Sequence, residues 1–399
     1  MRNLFLSFLI VVLGCLTTAS AAIPLSDSAR ISLLTCSPGE ELYSRFGHTA
    51  LRVQDFSQHL DIVFNYGMFN FNTPNFYGKF IAGETYYQLG VEDMNSFVLG
   101  YVNNGRGIRE TDLNLTVEEK QRLFDALIEN AKEENRTYLY NFVFDNCATR
   151  PRDMIEAAVE GGYLNYPEQQ SSALYSVEEQ NEKTYRQLIG EYVGEDTWLK
   201  FGIDLLIGTK ADNPVPQRYE MFLPDELEAC ISGATKVDGT SLRQMSDVLL
   251  EQKAFPSLES GWCSPLLISI SLLLFVCLLT LLLPGKLLTL DFLLFLTSGC
   301  LGLLLFYLTF FSLHPLVKWN LNLLWLNPAH LLFVLLLPFK KCRRVLSYYQ
   351  LLISISLVFT ISGYLYFPQE YNVAFLPLML MLFIRAIIFF RYHRADSSR

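Results

Sequence analysis

Metal-binding patterns are missing from this chain. Its five histidines are scattered through 399 residues without a His-x-x-x-His pair, and its eight cysteines include no Cys-x-x-Cys. A zinc or iron site requires converging ligands, so no metal or other cofactor is expected. Charge is also scarce, at 18% of residues, and acids exceed bases to leave a formal net charge of −9. With no basic stripe, the chain offers no footprint for nucleic acid. Residues 23–262 show no internal repeat and no low-complexity linker.

Apolar sequence is abundant and sits in two places. Residues 1–22 combine a basic start (Arg2), an apolar run from Leu4 to Leu16 and the small residues Ala19-Ser20-Ala21-Ala22, the layout of a cleaved secretory signal. Val12-Leu13-Gly14-Cys15 offers an alternative, a lipobox with Cys15 lipidated. From Ser264 to Phe390 the chain is nearly continuously apolar, broken at Pro284-Gly285-Lys286, His314 to Asn322, Phe339 to Arg344 and Pro368 to Asn372. Five spans fit, at about 264–283, 287–309, 323–339, 346–366 and 373–390, each near the ~20 residues that a bilayer core requires. Lys340-Lys341-Cys342-Arg343-Arg344 and the tail from Arg391 are basic, whereas Pro368 to Asn372 carries no Lys or Arg, so the basic ends are expected in the cytoplasm. Five spans then start outside and finish inside, in agreement with the signal.

Residues 23–262 hold 20 Lys+Arg against 37 Asp+Glu. An acidic body of this kind is repelled by an anionic membrane surface unless tethered, and the spans supply the tether. Residues 23–160 mix strands and helices, an α+β pattern. Thr116-Val117-Glu118-Glu119 opens a helix with a capping box, and Leu123, Leu127, Ile128 and Ala131 give that helix an apolar stripe. Residues 161–262 read as an annex of short amphipathic helices, Glu179 to Tyr192 and Thr197 to Ile207 among them. Residues 263–391 make the five-helix transmembrane domain and 392–399 a tail.

Two residues of the first region carry chemistry. Cys147 follows the apolar stretch Phe142-Val143-Phe144-Asp145-Asn146 and precedes a helical one, Asp153 to Glu160, which sets it near a helix N-terminus. The positive end of that helix and a nearby imidazole would lower the thiol pKa, so a thiolate at neutral pH is expected, and the Cys147 N–H can join an oxyanion hole. His48 lies on a short strand. If its hairpin turns between Phe56 and Ser57, Val53 pairs Leu60, Leu51 pairs Ile62 and Thr49 pairs Phe64 on the core face. The other face then sets Arg52 against Asp61, Ala50 against Val63 and His48 against Asn65. Asn65 would orient the imidazole, the task of a triad's third member; His59 and Tyr66 are the alternatives if the register slips by one. A lone cysteine is more often core or half of a disulfide in an oxidising compartment. Pairing among Cys36, Cys230 and Cys263 therefore stays open, and Cys36, which ends an apolar strand before Pro38-Gly39, is the rival nucleophile.

The run Leu33 to Val53, with Thr35-Cys36-Ser37-Pro38-Gly39-Glu40-Glu41-Leu42-Tyr43-Ser44-Arg45-Phe46-Gly47-His48-Thr49-Ala50-Leu51-Arg52-Val53, then Asn65-Tyr66-Gly67-Met68-Phe69 and Asp145-Asn146-Cys147-Ala148-Thr149-Arg150, resembles the Lnb-type lipoprotein N-acyltransferases of Bacteroides and relatives. Met221-Phe222-Leu223-Pro224 and Asn320 to Pro328 extend the resemblance over most of the chain. The His-before-Cys order and the Asn-Cys at a helix start also resemble, more weakly, the permuted papain-like group that includes lecithin:retinol acyltransferase. The resemblance implies a permuted papain-like, NlpC/P60-like exported domain followed by five transmembrane helices, with Cys147 and His48 catalytic and Asn65 assisting. The implied reaction moves a fatty acyl chain, through a Cys thioester, from a membrane phospholipid to the α-amine of diacylglyceryl-cysteine on a lipoprotein. Partners would be the phospholipid donor, the diacylated lipoprotein and the membrane, around a monomer. Its place would be a bacterial inner membrane, with the catalytic domain periplasmic and the C-terminus cytoplasmic. Two other readings stay open: a membrane-anchored NlpC/P60-type cell-wall peptidase or amidase, and a non-enzymatic membrane-anchored binding module. His314, Lys318 and Asn320, polar between apolar helices, are candidates to hold substrate at the outer interface, with ordinary interfacial anchoring as the alternative.

Overall fold

The computed structural model describes residues 24–70, 72–167, 183–254, 261–283 and 286–394. The expected signal, with Cys15, and residues 395–399 of the tail lie outside them. Seven strands among the described residues, β1 (Arg30–Cys36), β2 (His48–Asp55), β3 (Leu60–Met68), β4 (Tyr86–Asp93), β5 (Ile108–Leu113), β6 (Thr137–Leu139) and β7 (Arg243–Leu250), form one sheet in the order β6-β4-β3-β2-β1-β5-β7. Every adjacent pair is antiparallel. Helices α1 (Phe76–Ala82), α2 (Met94–Asn103), α3 (Val117–Ala131) and α4 (Thr149–Ala158) are interleaved with the first six strands, and α5 (Tyr185–Val193), α6 (Trp198–Leu206), α7 (Gln217–Glu220) and α8 (Pro224–Gly233) precede β7.

Strand alternation decides which helices cover which face. Leu33, Leu51, Val53, Phe64 and Tyr66 point to one side and pack with Leu123, Phe124 and Leu127 of α3 and Ile155 of α4. Leu34, Cys36, Ala50 and Val63 point to the other and pack with Met94 and Phe97 of α2. Burying each such large side chain contributes roughly 1.5–3 kcal/mol. The helix at Thr116 begins with the expected capping box, Thr116 and Glu119 each bonding the other's backbone N–H. Thr184 and Gln187 form a second box at α5, and Thr197 caps α6.

The hairpin of β2 and β3 differs from expectation by two residues. Leu51 pairs Phe64, Val53 pairs Ile62 and Asp55 pairs Leu60, because Phe56–Gln58 wind into a 3-10 turn that His59 closes in the left-handed region at φ 54°. A shift of two preserves the faces, since side chains alternate with a period of two, so the inward and outward sets are the expected ones. Residues 161–262 also depart from an all-helical annex: β7 adds to the sheet through β5 and is exposed along nearly its whole length.

Among the described residues four helices are long and apolar enough to cross a membrane: α9 (Pro265–Leu282), α10 (Leu288–Phe310), α12 (Arg343–Gly363) and α13 (Phe375–His393), with the short α11 (His330–Leu336) between the second and third. The span expected at 323–339 is not a continuous helix. A 3-10 turn, Leu321–Leu324, leads through Asn327-Pro328 into α11, whose seven residues are too short to cross alone. Asn-Pro is a helix breaker, because the ring denies the backbone a donor and crowds the preceding residue. Inside the bundle Arg385 of α13 donates from Nε to Asp291 Oδ1 at 2.8 Å and from Nη1 to Thr280 Oγ1 at 2.9 Å, with both charged side chains fully buried.

Candidate active site

The loop that carries Cys147 is shaped by two asparagines. Asn141 Oδ1 accepts from the N–H groups of Val143 and Phe144, turning the chain so that Asn141 and Asp145 bond each other's backbone. Asn146 then uses all its bonding capacity: Oδ1 accepts from the N–H groups of Ala148 and Thr149, while Nδ2 donates to the carbonyls of Phe142 and Phe222. The first turn of α4 is thereby capped and tied to Met221-Phe222-Leu223-Pro224. Cys147 stands two residues ahead of Thr149, at the positive end of that helix.

His48 opens β2 directly after Gly47, whose φ of +78° favours glycine and whose missing side chain would meet the Cys36 carbonyl at 2.9 Å. Nε2 of His48 lies 2.6 Å from Asn65 Oδ1. Asn65 Nδ2 donates to Glu92 Oε1 at 3.0 Å, which fixes the amide so that its oxygen faces the ring. Nε2–H is therefore the donor and Nδ1 is left unprotonated. The two residues meet diagonally rather than face to face, a reach that alternation on one sheet face permits. Gly67 completes the arrangement, since a side-chain carbon there would sit 3.4 Å from Cys147 Cβ and 3.8 Å from His48 Cε1. Thiol and imidazole thus flank a residue that has no side chain to separate them.

The structure brings Cys147, His48 and Asn65 together and leaves out the reserve candidates. His59 caps the turn at the far end of the hairpin, and Tyr66 points to the opposite face, where its hydroxyl donates to Asn130 Oδ1. Cys36, Cys147, Cys230 and Cys263 are all free. Cys36 pairs with His48 across β1 and β2, but it is fully buried and burial pushes its thiol up to about 12.

Burial also corrects the expected thiolate. It pushes the Cys147 thiol up to about 11, against the smaller opposing effects of the Thr49 and Cys147 backbone N–H groups and of Arg106. It pulls His48 down to about 4, with the Asn65 bond acting the other way. At neutral pH the pair is an uncharged thiol and an uncharged imidazole, because the cost of stripping water from both charges exceeds what the helix end returns.

A pocket of about 240 Å³ opens at His48, lined by Tyr43, Ser44, Gly47, His48, Asn65, Gly67, Met68, Phe69, Tyr101 and Arg106. Arg106 is not apparent as a site residue from sequence; its only signal is its place in Gly105-Arg106-Gly107 between α2 and β5. From the pocket a chain of rings leads away: Phe69 contacts Phe76, Phe76 contacts Phe80, and Phe80 contacts His314, with centroids 6.0, 6.3 and 5.7 Å apart. That chain ends on the segment after α10, where Leu313 N–H donates to the Ala82 carbonyl of α1.

His314, Lys318 and Asn320 do not line the pocket. His314 Nε2 bonds the Phe80 carbonyl at 2.6 Å, Lys318 Nζ donates to the Ser312 carbonyl at 2.5 Å, and Asn320 Nδ2 donates to the carbonyls of Leu205 and Leu206. Their polar atoms fasten the loop to the sheet domain and to itself. Among the described residues no group of three His, Cys, Asp or Glu is placed to hold a metal ion.

A family model described as the Lnb N-terminal periplasmic domain matches residues 21–189, and one described as the Lnb transmembrane domain matches residues 257–395. No curated protein and no solved structure matches the chain. The chain belongs to the Lnb family and is a membrane protein with an N-terminal periplasmic region.

Proposed function

We propose that this member of the Lnb family is a lipoprotein N-acyltransferase with a permuted papain-like catalytic domain, in which Cys147 is the nucleophile and His48 the base. The observation that carries this reading is the juxtaposition of Cys147 and His48 across Gly67, with the imidazole tautomer fixed by Asn65. Because the resting pair is neutral, His48 Nδ1 takes the thiol proton as Sγ attacks the ester carbonyl of a phospholipid. The same proton then passes to the leaving lysolipid alcohol, and the acyl chain stays on Cys147 as a thioester. In the second half the α-amine of diacylglyceryl-cysteine attacks that carbonyl, His48 accepts the amine proton and returns it to the departing sulfur, and an amide forms. The N–H groups of Thr49 and Cys147, both at the thiol, are the donors available to the developing oxyanion.

The ring chain from Phe69 to His314 supports a substrate that comes from the bilayer, as does a domain of long apolar helices that a soluble cell-wall substrate does not require. In this reading the broken segment 321–339 completes a fifth pass, leaving the basic end at Arg391 and Arg394 in the cytoplasm. Intact-mass spectrometry of the purified full chain after incubation with phospholipid vesicles tests the proposal. The expected result is a fatty acyl adduct on Cys147, discharged by a diacylated lipopeptide with a free amine and absent from Cys147→Ser. Wild-type protein that carries no adduct, or a Cys147→Ser variant that still acylates the lipopeptide, overturns it.

A further inference from the structure

Most arginines of the sheet domain that are even partly shielded meet carboxylates. Arg52 meets Asp61 and Glu110, Arg109 meets Asp225 and Glu228, Arg150 meets Asp145, and Arg186 meets Asp204 and Asp212. Arg106 meets none among the described residues. Its Nε donates to the Ser37 carbonyl at 2.8 Å, its guanidinium carbon lies 4.7 Å from the centroid of the Tyr101 ring, and its Nη2 is buried without a hydrogen-bond partner.

The loop around it is built to hold that pose. Gly107 N–H donates to Ser37 Oγ at 2.7 Å, and Arg106 N–H donates to the Tyr101 carbonyl. Leaving a guanidinium N–H unbonded in a shielded place costs roughly 1–3 kcal/mol, a cost that an arriving acceptor would remove. Arg106 lines the same pocket as His48 and Asn65.

We propose that Arg106 binds the phosphodiester of the acyl donor and so makes the donor site selective for phosphate-bearing lipids over neutral ones. The inference rests on the acyl-transfer reading. A planar guanidinium presents paired N–H groups that match phosphate oxygens. In a glycerophospholipid the phosphate is joined to the reacting ester through the glycerol, so a cation in the same pocket as the base can hold one while the other reaches Cys147. The apolar remainder of the pocket, Met68 and Phe69, leads toward the ring chain and suits the acyl tail.

The test compares two donors with the same acyl chains, phosphatidylethanolamine and diacylglycerol, using full-length protein in mixed micelles. The rate of acyl loading on Cys147 is followed by mass spectrometry. In the wild type loading from the phospholipid should be the faster. Arg106→Ala should lower the phospholipid-to-diacylglycerol rate ratio by at least about tenfold, as expected for one charge-assisted hydrogen bond. Arg106→Lys, which keeps the charge and loses the fork, should retain part of the ratio. An unchanged ratio in Arg106→Ala, including equal slowing with both donors, overturns the assignment and returns Arg106 to a general role at the thiol or in the fold. Wild-type protein that loads from neither lipid overturns the acyl-transfer reading itself.

Discussion

Two polar clusters of the molecule are organised in opposite ways. Where the sheet domain meets the helices, Asp204 gathers Arg186 Nη1, Lys200 Nζ and Asn372 Nδ2, Asp212 takes a second edge of Arg186, and Asn322 and Asn320 close onto the carbonyls of α6. Charge meets opposite charge there, and the side chains are almost wholly buried. Around His48, by contrast, the thiol and the imidazole are neutral and the nearby cation, Arg106, meets no carboxylate among the described residues. A satisfied network locks one geometry, whereas a cluster with an unmet donor and two uncharged reactive groups is set to respond to something that arrives. The joint and the site can therefore be told apart by what each leaves unpaired.

Removing Asp204 is the strongest way to separate them. Asp204→Ala strands Lys200 and leaves Arg186 with Asp212 alone at a buried seam, so a loss of about 3–5 kcal/mol is expected, read as a fall in folded, membrane-extracted protein and in its thermal midpoint. Normal yield and midpoint would mean that the seam is not a joint. Next in size is the catalytic side. His48→Ala should slow acyl loading by about 10²–10⁴-fold with folding intact, and Asn65→Ala should slow it less, because it orients the base and does not move the proton. Asn65→Ala with wild-type kinetics would remove Asn65 from the site.

A pH profile is the subtler probe. Since His48 stays neutral down to about 4, kcat/KM for acyl loading should remain level from pH 7 through about 6.5, the free-imidazole range, and fall only toward 4. A drop centred near 6.5 would show an imidazole that charges freely. The sign for stability follows from the same displacement: an unfolded chain takes up a proton near 6.5 that the folded one refuses until about 4, so lowering pH across that window costs folded-state stability. The smallest effects are expected in the outer loop. His314→Ala and Lys318→Ala each remove one bond to a carbonyl, worth about 1 kcal/mol or less, and should leave acyl loading unchanged. A clear loss of loading at normal midpoint would move these residues from the joint to the substrate.

Much of the site is legible in the sequence because strand alternation is robust to small errors. His48 and Asn65 share a face in the expected register and in the observed one, two residues away. What sequence hides is environment. The helix end near Cys147 argues for a thiolate, but the burial that reverses this comes from residues far apart in the chain. Likewise β7 gives little signal, since an exposed edge strand needs no apolar alternation, and Arg106 stands out only because the fold sets no carboxylate against it among the described residues. The break in the span expected at 323–339 is signalled by Asn327-Pro328, yet the surrounding apolar residues outweigh that signal in mean hydropathy.

The pair Asp291 and Arg385 bears on how the chain is made. Asp291 is the only charged residue of α10 and Arg385 lies mid-way along α13; they are 94 residues apart, and each is buried against the other. A lone ionised side chain at membrane depth is costly by at least about 2.5–3.5 kcal/mol, so α10 emerges from the ribosome carrying a group whose partner has not been synthesised. Because α10 precedes α13 in the chain, Asp291 is matched only once Arg385 has been made. A chain halted before Arg385 would hold Asp291 without the partner that the finished chain gives it.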